Sequence, residues 1–369
     1  MDARLSGGAR VTAEGAVRLL DGGREAYPAM LEAIRSARAE ILLEVYAFSP
    51  EGIGADFVAA LSAAARRGVG VRVVVDAWGS APATSELQAS LEAAGCEVRV
   101  FGSILGLLVG RLRRNHRKVL AVDGEIAFLG GLNIGDAYGV PGPASGEVPW
   151  ADLALELRGP VAAWLQRRGS RERGWSPPGP VRVWLSGLGG ANRLRRRYLK
   201  AFGRARRRIL LAHAYFIPDR HVVRSIAAAA RRGVEVKLVV PGRSDVPLAG
   251  AATRRHYRKL LRAGVEIAEW SRSVLHAKVA AVDGRTLLVG SFNLDPFSLA
   301  NLEALAEVSF ARPAGEAERW IRARFEEGER VTPERMGAGS RLERLLVERV
   351  GPLVARVARG IARHVLRRR

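Results

Sequence analysis

Apolar and polar positions alternate along this chain in blocks, and the blocks recur. ILLEVYAF (41–48) and ILLAHAYF (209–216) are mainly apolar runs of strand length, interrupted only by Glu44 and His213, each following a basic and polar helix end. Alanine-rich helical stretches come next, closing on Ala-Arg-Arg-Gly-Val at 65–69 and again at 230–234. That glycine is a helix-stop signal, and last-turn arginines complement the helix dipole. The runs VRVVVDAW and VEVKLVVP predict further strands. Each is followed by a helix ending at Ala94-Gly95 or Ala263-Gly264 and a short strand, CEVRVF or VEIAEW. Each series ends in KVLAVDGEIAFLGG or KVAAVDGRTLLVGS, two apolar strands around Asp-Gly, which favours a two-residue hairpin turn.

Helices alternating with apolar strands predict an α/β fold of two pseudo-symmetric halves, each a mixed sheet flanked by helices. SRERGWSPPGP, rich in proline, glycine and charge, marks the divide. The expected organisation is a first half over 1–169, a linker over 170–180, a second half over 181–335 and a tail over 336–369. Tyr138 to Pro149 is a Gly/Pro-rich insertion with no second-half counterpart.

Composition narrows the picture. At 369 residues and 48% hydrophobic, the chain can build two cores. No apolar run of about 18 residues predicts a membrane span, and the N-terminal MDARLSGGARVTAEG has no signal-peptide apolar segment. The single cysteine, Cys96, excludes an internal disulfide, suits a reducing compartment and reads as a small buried residue at a strand start. A formal net charge of +22 calls for a polyanionic partner, nucleic acid or an anionic membrane surface.

The chemistry lies in a constellation present twice. The first copy has His116, Lys118, Asp123-Gly124 and Gly130-Gly131-Leu132-Asn133; the second has His276, Lys278, Asp283-Gly284 and Gly290-Ser291-Phe292-Asn293. Strand alternation places His and Lys on one face of each hairpin's first strand, with the Asn just beyond its second. Only five of the 59 cationic residues are lysines, and two of the five are Lys118 and Lys278. A compact ammonium is therefore favoured at those positions over a planar guanidinium. Two lysines and two asparagines would surround the non-bridging oxygens of a phosphate and stabilise a five-coordinate transition state. One histidine can then attack phosphorus while the other protonates the leaving alcohol. No metal or other cofactor is expected, since the lysines supply the positive charge and the six histidines show no HExxH-like spacing. Asp-Gly is a turn dipeptide, so a structural role explains Asp123 and Asp283 although they belong to the motif. Glu44, Tyr46 and Tyr215 are plausible cleft residues; His213, His221 and His256 have no motif around them.

These residues resemble the phospholipase D superfamily, whose HxKxxxxD motif stands in both halves with its downstream Gly-Gly/Ser-x-Asn. The resemblance runs over roughly residues 20 to 335. HRKVLAVDGEIAFLGGLNIGDAYG and LHAKVAAVDGRTLLVGSFNLDPFSLANLE look like the bacterial cardiolipin synthase branch. It implies one active site shared by the halves, with His116, Lys118, Asp123, His276, Lys278 and Asp283 as catalytic residues and Asn133, Asn293 and Ser291 at the phosphate. It also implies that an acid after each motif, Asp152 or Glu303, orients a catalytic histidine. Gly131 stands where the family commonly has Ser. The implied reaction is phosphatidyl transfer, two phosphatidylglycerol giving cardiolipin and glycerol through a phosphohistidine. The alternatives are a phosphodiesterase or nuclease using the same site, and an inactive membrane-binding protein.

Two flanking segments favour lipid over nucleic acid. Ser103 to Arg114 is apolar with a basic edge directly before His116. Beyond residue 336, Leu342, Leu345, Leu346, Val350, Leu353 and their helical successors form an apolar stripe beside arginines, as in an interfacial anchor. Aromatics are only 6%, too few for an evident base-stacking platform. The expected partner is an anionic phospholipid membrane carrying phosphatidylglycerol, approached peripherally from the cytoplasmic face; no protein partner is inferable.

Overall fold

A computed structural model describes residues 16–102, 114–139, 148–168, 174–187, 191–244 and 247–334. The segment 103–113, residues 140–147 of the insertion and the tail from 336 lie outside the described residues. Contacts divide the chain into two units: Met1–Leu188 with Val289–Ser291 and Asn301–Ala306, and Gly189–Leu288 with Phe292–Ala300 and Glu307–Arg369.

The first unit opens with β1 (Val17–Asp21), α1 (Gly22–Ser36), β2 (Glu40–Val45), α2 (Ile53–Arg66), β3 (Gly70–Asp76), α3 (Thr84–Ala93) and β4 (Glu97–Phe101). It continues with β5 (Val119–Val122), β6 (Ile126–Gly130), β7 (Leu153–Arg158), α4 (Pro160–Arg168), β8 (Gly174–Trp175) and β9 (Val181–Leu185). β8, within the expected linker, pairs antiparallel with β9. The seven-stranded sheet has the order β1-β7-β6-β5-β2-β3-β4. β2, β3 and β4 are parallel, and the rest antiparallel. The parallel part follows from its connections, because each strand-helix-strand crossover is right-handed and lays its helix on one face of the sheet. Phe57, Leu61 and Ala64 of α2 bury their stripe against Leu43, Val71 and Val73. Each such large side chain removed from water stabilises the unit by about 1.5–3 kcal/mol.

The second unit repeats the order with α5 (Asn192–Arg204), β10 (Arg208–His213), α6 (Arg220–Arg231), β11 (Glu235–Pro241), α7 (Pro247–Arg254), α8 (Tyr257–Leu261) and β12 (Glu266–Trp270). β13 (Lys278–Val282), β14 (Thr286–Gly290), β15 (Ala304–Val308), α9 (Ala311–Glu327) and β16 (Glu329–Arg330) follow. The second sheet reads β16-β12-β11-β10-β13-β14-β15-β9-β8. From β12 to β9 it matches the first sheet strand for strand, so the sequence repeat is a topological one. Gly68 and Gly233, ending the two Arg-Arg-Gly helices, take φ of +89° and +84°, the left-handed conformation that a helix stop needs.

Two local expectations are corrected. Val122 pairs with Ile126, so the first hairpin loop is three residues, Asp123 to Glu125, rather than two. Both Asp123 and Gly124 have positive φ there. The first motif's His and Lys also precede their strand, since β5 begins at Val119; in the second copy Lys278 is the first residue of β13. No helix among the described residues is long and apolar enough to cross a membrane.

Candidate active site

In the first unit, His116 is fixed by backbone before its side chain acts. Its N–H donates to Leu302 O at 2.9 Å, and Leu302 N–H donates to Arg114 O at 2.9 Å. On the other side Asn115 N–H donates to Asp76 Oδ2 at 2.8 Å. Asp76 also accepts from the N–H groups of Trp78 and Gly79, and burial pushes its carboxyl pKa up. The imidazole lies against the Tyr46 ring, with centroids 4.9 Å apart.

The carboxylate on His116 Nδ1 is Glu303, at 3.1 Å and wholly buried. Glu303 follows the second motif, 187 residues along the chain, yet belongs to the first unit. A carboxylate there holds the proton on Nδ1 and leaves Nε2 its lone pair. Ser291, expected at the phosphate, instead donates its hydroxyl to the same Glu303 oxygen and accepts from Ala304 N–H at 3.0 Å. In the other copy Gly131 N–H binds Leu153 O at 3.2 Å, just as Ser291 N–H binds Ala304 O at 2.9 Å. A Cβ on Gly131 would stand 2.3 Å from Asp152 Oδ1. Asp152, buried, fills the space that a serine would need, which is why the first copy carries glycine. Its Oδ1 accepts from Leu153 N–H at 2.8 Å.

A buried relay that the motifs did not reveal grips Glu303 from behind. Ser186 N–H donates to Glu303 O at 2.9 Å, and Glu303 N–H donates to Ser186 Oγ at 2.8 Å. Ser186 Oγ–H donates to Asn301 O at 3.2 Å. Arg117, the variable residue of the first motif, donates to Ser186 O at 2.7 Å and faces Glu44 at 3.4 Å. Burial raises the Glu44 pKa and the Arg117 charge opposes that rise. The only sequence trace was the contrast between Arg117 and Ala277 at equivalent positions.

Lys118 Nζ donates to His116 O at 2.9 Å and lies 5.0 Å from the Tyr46 ring centre. Asn133 Oδ1 accepts from Ala47 N–H at 3.2 Å, and its Nδ2 donates to Tyr138 OH at 2.8 Å. Asp123 is turned away from this chemistry. Its carboxylate accepts the N–H groups of Arg38, Ala39 and Glu40 at 2.8–2.9 Å, tying the end of α1 to β2.

The second unit repeats the local arrangement. Lys278 Nζ lies 2.9 Å and 3.0 Å from the two ring nitrogens of His276, and also donates to His276 O. The Tyr215 ring meets His276 edge-on at 6.5 Å. Asn293 is buried, and its Oδ1 has no partner among the described residues. Its N–H donates to Ser298 Oγ at 3.1 Å, and Ser298 N–H donates to Asp295 Oδ1 at 2.7 Å. Burial pushes the Asp295 carboxyl up to about 6 against those bonds and the Lys278 charge. Asp283 accepts from Arg206, Arg207 and Arg208 N–H, repeating the Asp123 brace.

His213 faces Lys278 across the β10–β13 pair and is fully buried between the rings of Tyr198 and Phe216. Neither ring nitrogen has a hydrogen-bond partner among the described residues. Burial, then the Lys278 charge, pushes its pKa down to about 3, so the imidazole stays neutral. Cys96 is buried at the entry to β4. Among the described residues no three His, Cys, Asp or Glu side chains gather as metal ligands would.

The family described as "Cardiolipin synthase, PLD-like domain" matches residues 30–138 and 198–327. The chain is 35% identical over 314 residues to cardiolipin synthase B of Escherichia coli (strain K12), covering 78% of this chain and 75% of that protein. It is 33% identical over 350 residues to cardiolipin synthase A of Pseudomonas aeruginosa (strain LESB58), covering 89% and 71%. In fold it is similar to the crystal structure of phosphatidylserine synthase from Haemophilus influenzae Rd KW20, at TM-score 0.68 and 15% identity over 93% of this chain and 95% of that one.

Proposed function

We propose a function from one premise: the chain belongs to the cardiolipin synthase family of phospholipase D-like proteins. It is a phosphatidyltransferase that makes cardiolipin from phosphatidylglycerol. His116 Nε2 attacks the phosphorus of one phosphatidylglycerol, a phosphatidyl-histidine bond forms as the bond to the headgroup glycerol breaks, and His276 gives that glycerol its proton. A hydroxyl of a second phosphatidylglycerol, deprotonated by His276, then attacks phosphorus, releases His116 and completes cardiolipin. Lys118, Lys278, Asn133 and Asn293 bear the charge on the phosphoryl oxygens, while Glu303 and Asp152 orient histidines. Asp123 and Asp283 brace the loops on which the site stands. The enzyme works peripherally on the cytoplasmic leaflet of an anionic membrane.

The observation that carries the reading is the Glu303 carboxylate on Nδ1 of the motif histidine. It holds the Nδ1–H tautomer, so that Nε2 is the ring nitrogen available to phosphorus. Incubation with phosphatidylglycerol should yield cardiolipin and equimolar glycerol, and His116→Ala should yield neither. Phosphatidic acid as sole product would make the protein a hydrolase. DNA cleavage without lipid turnover would make it a nuclease.

A further inference from the structure

The repeat supplies its own control for charge. The helices α1, α2 and α3 each carry an acid in the first turn, Glu25, Asp56 and Glu86. Their second-unit counterparts, α5 (NRLRRRYLKAFGR), α6 (RHVVRSIAAAAR) and α8 (YRKLL), contain no Asp or Glu. In their place α5 and α6 put arginine in or next to the first turn, where a cation opposes the positive end of the helix dipole. Helix stability alone disfavours that choice; in the first unit α1 also has Arg24 in its first turn, but there Glu25 stands beside it.

These cations face solvent. Arg193, Arg196, Lys200, Arg220 and Arg224 are all exposed. The acids that reach these helices are held by other arginines: Asp219 caps α6 and is tied to Arg195, and Glu307 is tied to Arg197. The patch adjoins the second motif. Ile217, two residues before Asp219, donates its N–H to Leu294 O at 3.1 Å, next to Asn293, and Tyr215 touches His276. We propose that the exposed cations of α5 and α6 are the docking surface for anionic phospholipid headgroups, holding the His276 side of the site at the bilayer. The choice of lipid rests on the function proposed above. It also rests on the absence of aromatic residues from the exposed positions of these helices, where a nucleic-acid platform would stack bases.

The experiment compares two full-length variants of equal charge change. One reverses the patch (Arg196→Glu, Lys200→Glu, Arg220→Glu, Arg224→Glu), and the other reverses exposed first-unit cations (Arg24→Glu, Arg35→Glu, Arg38→Glu, Arg66→Glu). Partitioning onto phosphatidylglycerol/phosphatidylcholine vesicles should weaken about tenfold or more for the patch variant, and fade with salt in the wild type. The control should stay within about twofold of wild type. Far-UV circular dichroism should show both variants folded, because all the substituted side chains are exposed. Equal vesicle binding by the two variants overturns the proposal. So does a patch variant that loses duplex DNA binding yet keeps the vesicles. Turnover of dispersed short-chain phosphatidylglycerol should be equal in wild type and patch variant. If the wild type fails to turn it over, the reaction falls while the vesicle comparison still decides the patch.

Discussion

Ser186 shows how far a single hydroxyl can act from the reacting atom. It holds both the N–H and the C=O of Glu303, which in turn meets His116. Ser186→Ala leaves a buried Glu303 N–H unpaired, at about 1–3 kcal/mol of stability, and loosens the carboxylate. We expect kcat for cardiolipin formation to fall about tenfold with KM unchanged, and Ser186→Thr to restore most of it. An unchanged kcat in the alanine variant would falsify the positioning role. Gly131→Ser should displace the Asp152 carboxylate, which a Cβ there would approach to 2.3 Å, and lower kcat for cardiolipin formation; an unchanged kcat would mean that the carboxylate swings aside at no cost. His213 gives a pH signature. Unfolded, it takes up a proton near its ordinary 6.5; folded, only near 3, so the unfolded chain binds more protons between these values. The residue therefore subtracts stability as pH falls through that window, by up to about 1.4 kcal/mol per pH unit. Asp295, raised to about 6, acts in the opposite sense as pH falls towards 4. The clean measurement is thus the difference in urea stability between wild type and His213→Phe, which should move in the variant's favour from pH 6.5 to 4. A constant difference would mean that His213 does not titrate this way.

At the scale of elements, the repeat was plain in the sequence because strand length, helix stops and turn dipeptides are local properties. The parallel β2-β3-β4 and β10-β11-β12 groups and both hairpins follow from them. Hairpin loop length was not legible, because register depends on strand pairing rather than on the Asp-Gly pair. Nor was the support of Glu303, since Ser186 lies more than a hundred residues from it in an unremarkable stretch. The motif aspartates belong to this scale as well. Partial burial pushes the Asp283 pKa up, but three backbone N–H groups together bring it below the ordinary value. The stability it contributes is present at neutral pH and lost as pH falls through that lowered pKa. Asp283→Ala should remove about 1–2 kcal/mol at pH 7 and less in acid, read from denaturation midpoints. It should spare residual activity far better than Lys278→Ala does; equal losses would return Asp283 to the chemistry.

For the whole molecule, sequence patterning yields two halves of equal rank, whereas contacts yield a first unit that borrows Asn301–Ala306 from the far end of the second repeat. No local pattern marks that borrowing, because the backbone bonds between Asn115 and Leu302 and the Ser186 clasp carry no residue signature. The borrowed segment also sets a schedule for synthesis. His116 leaves the ribosome 187 residues ahead of Glu303, an interval of roughly ten to forty seconds at 5–20 residues per second. For most of it the seven strands of the first sheet are already made, but the carboxylate that meets the His116 ring is not. The His116–Glu303 pair therefore forms only after the second repeat has been made through its motif, so a half-made molecule does not yet hold the geometry on which the proposed reaction depends.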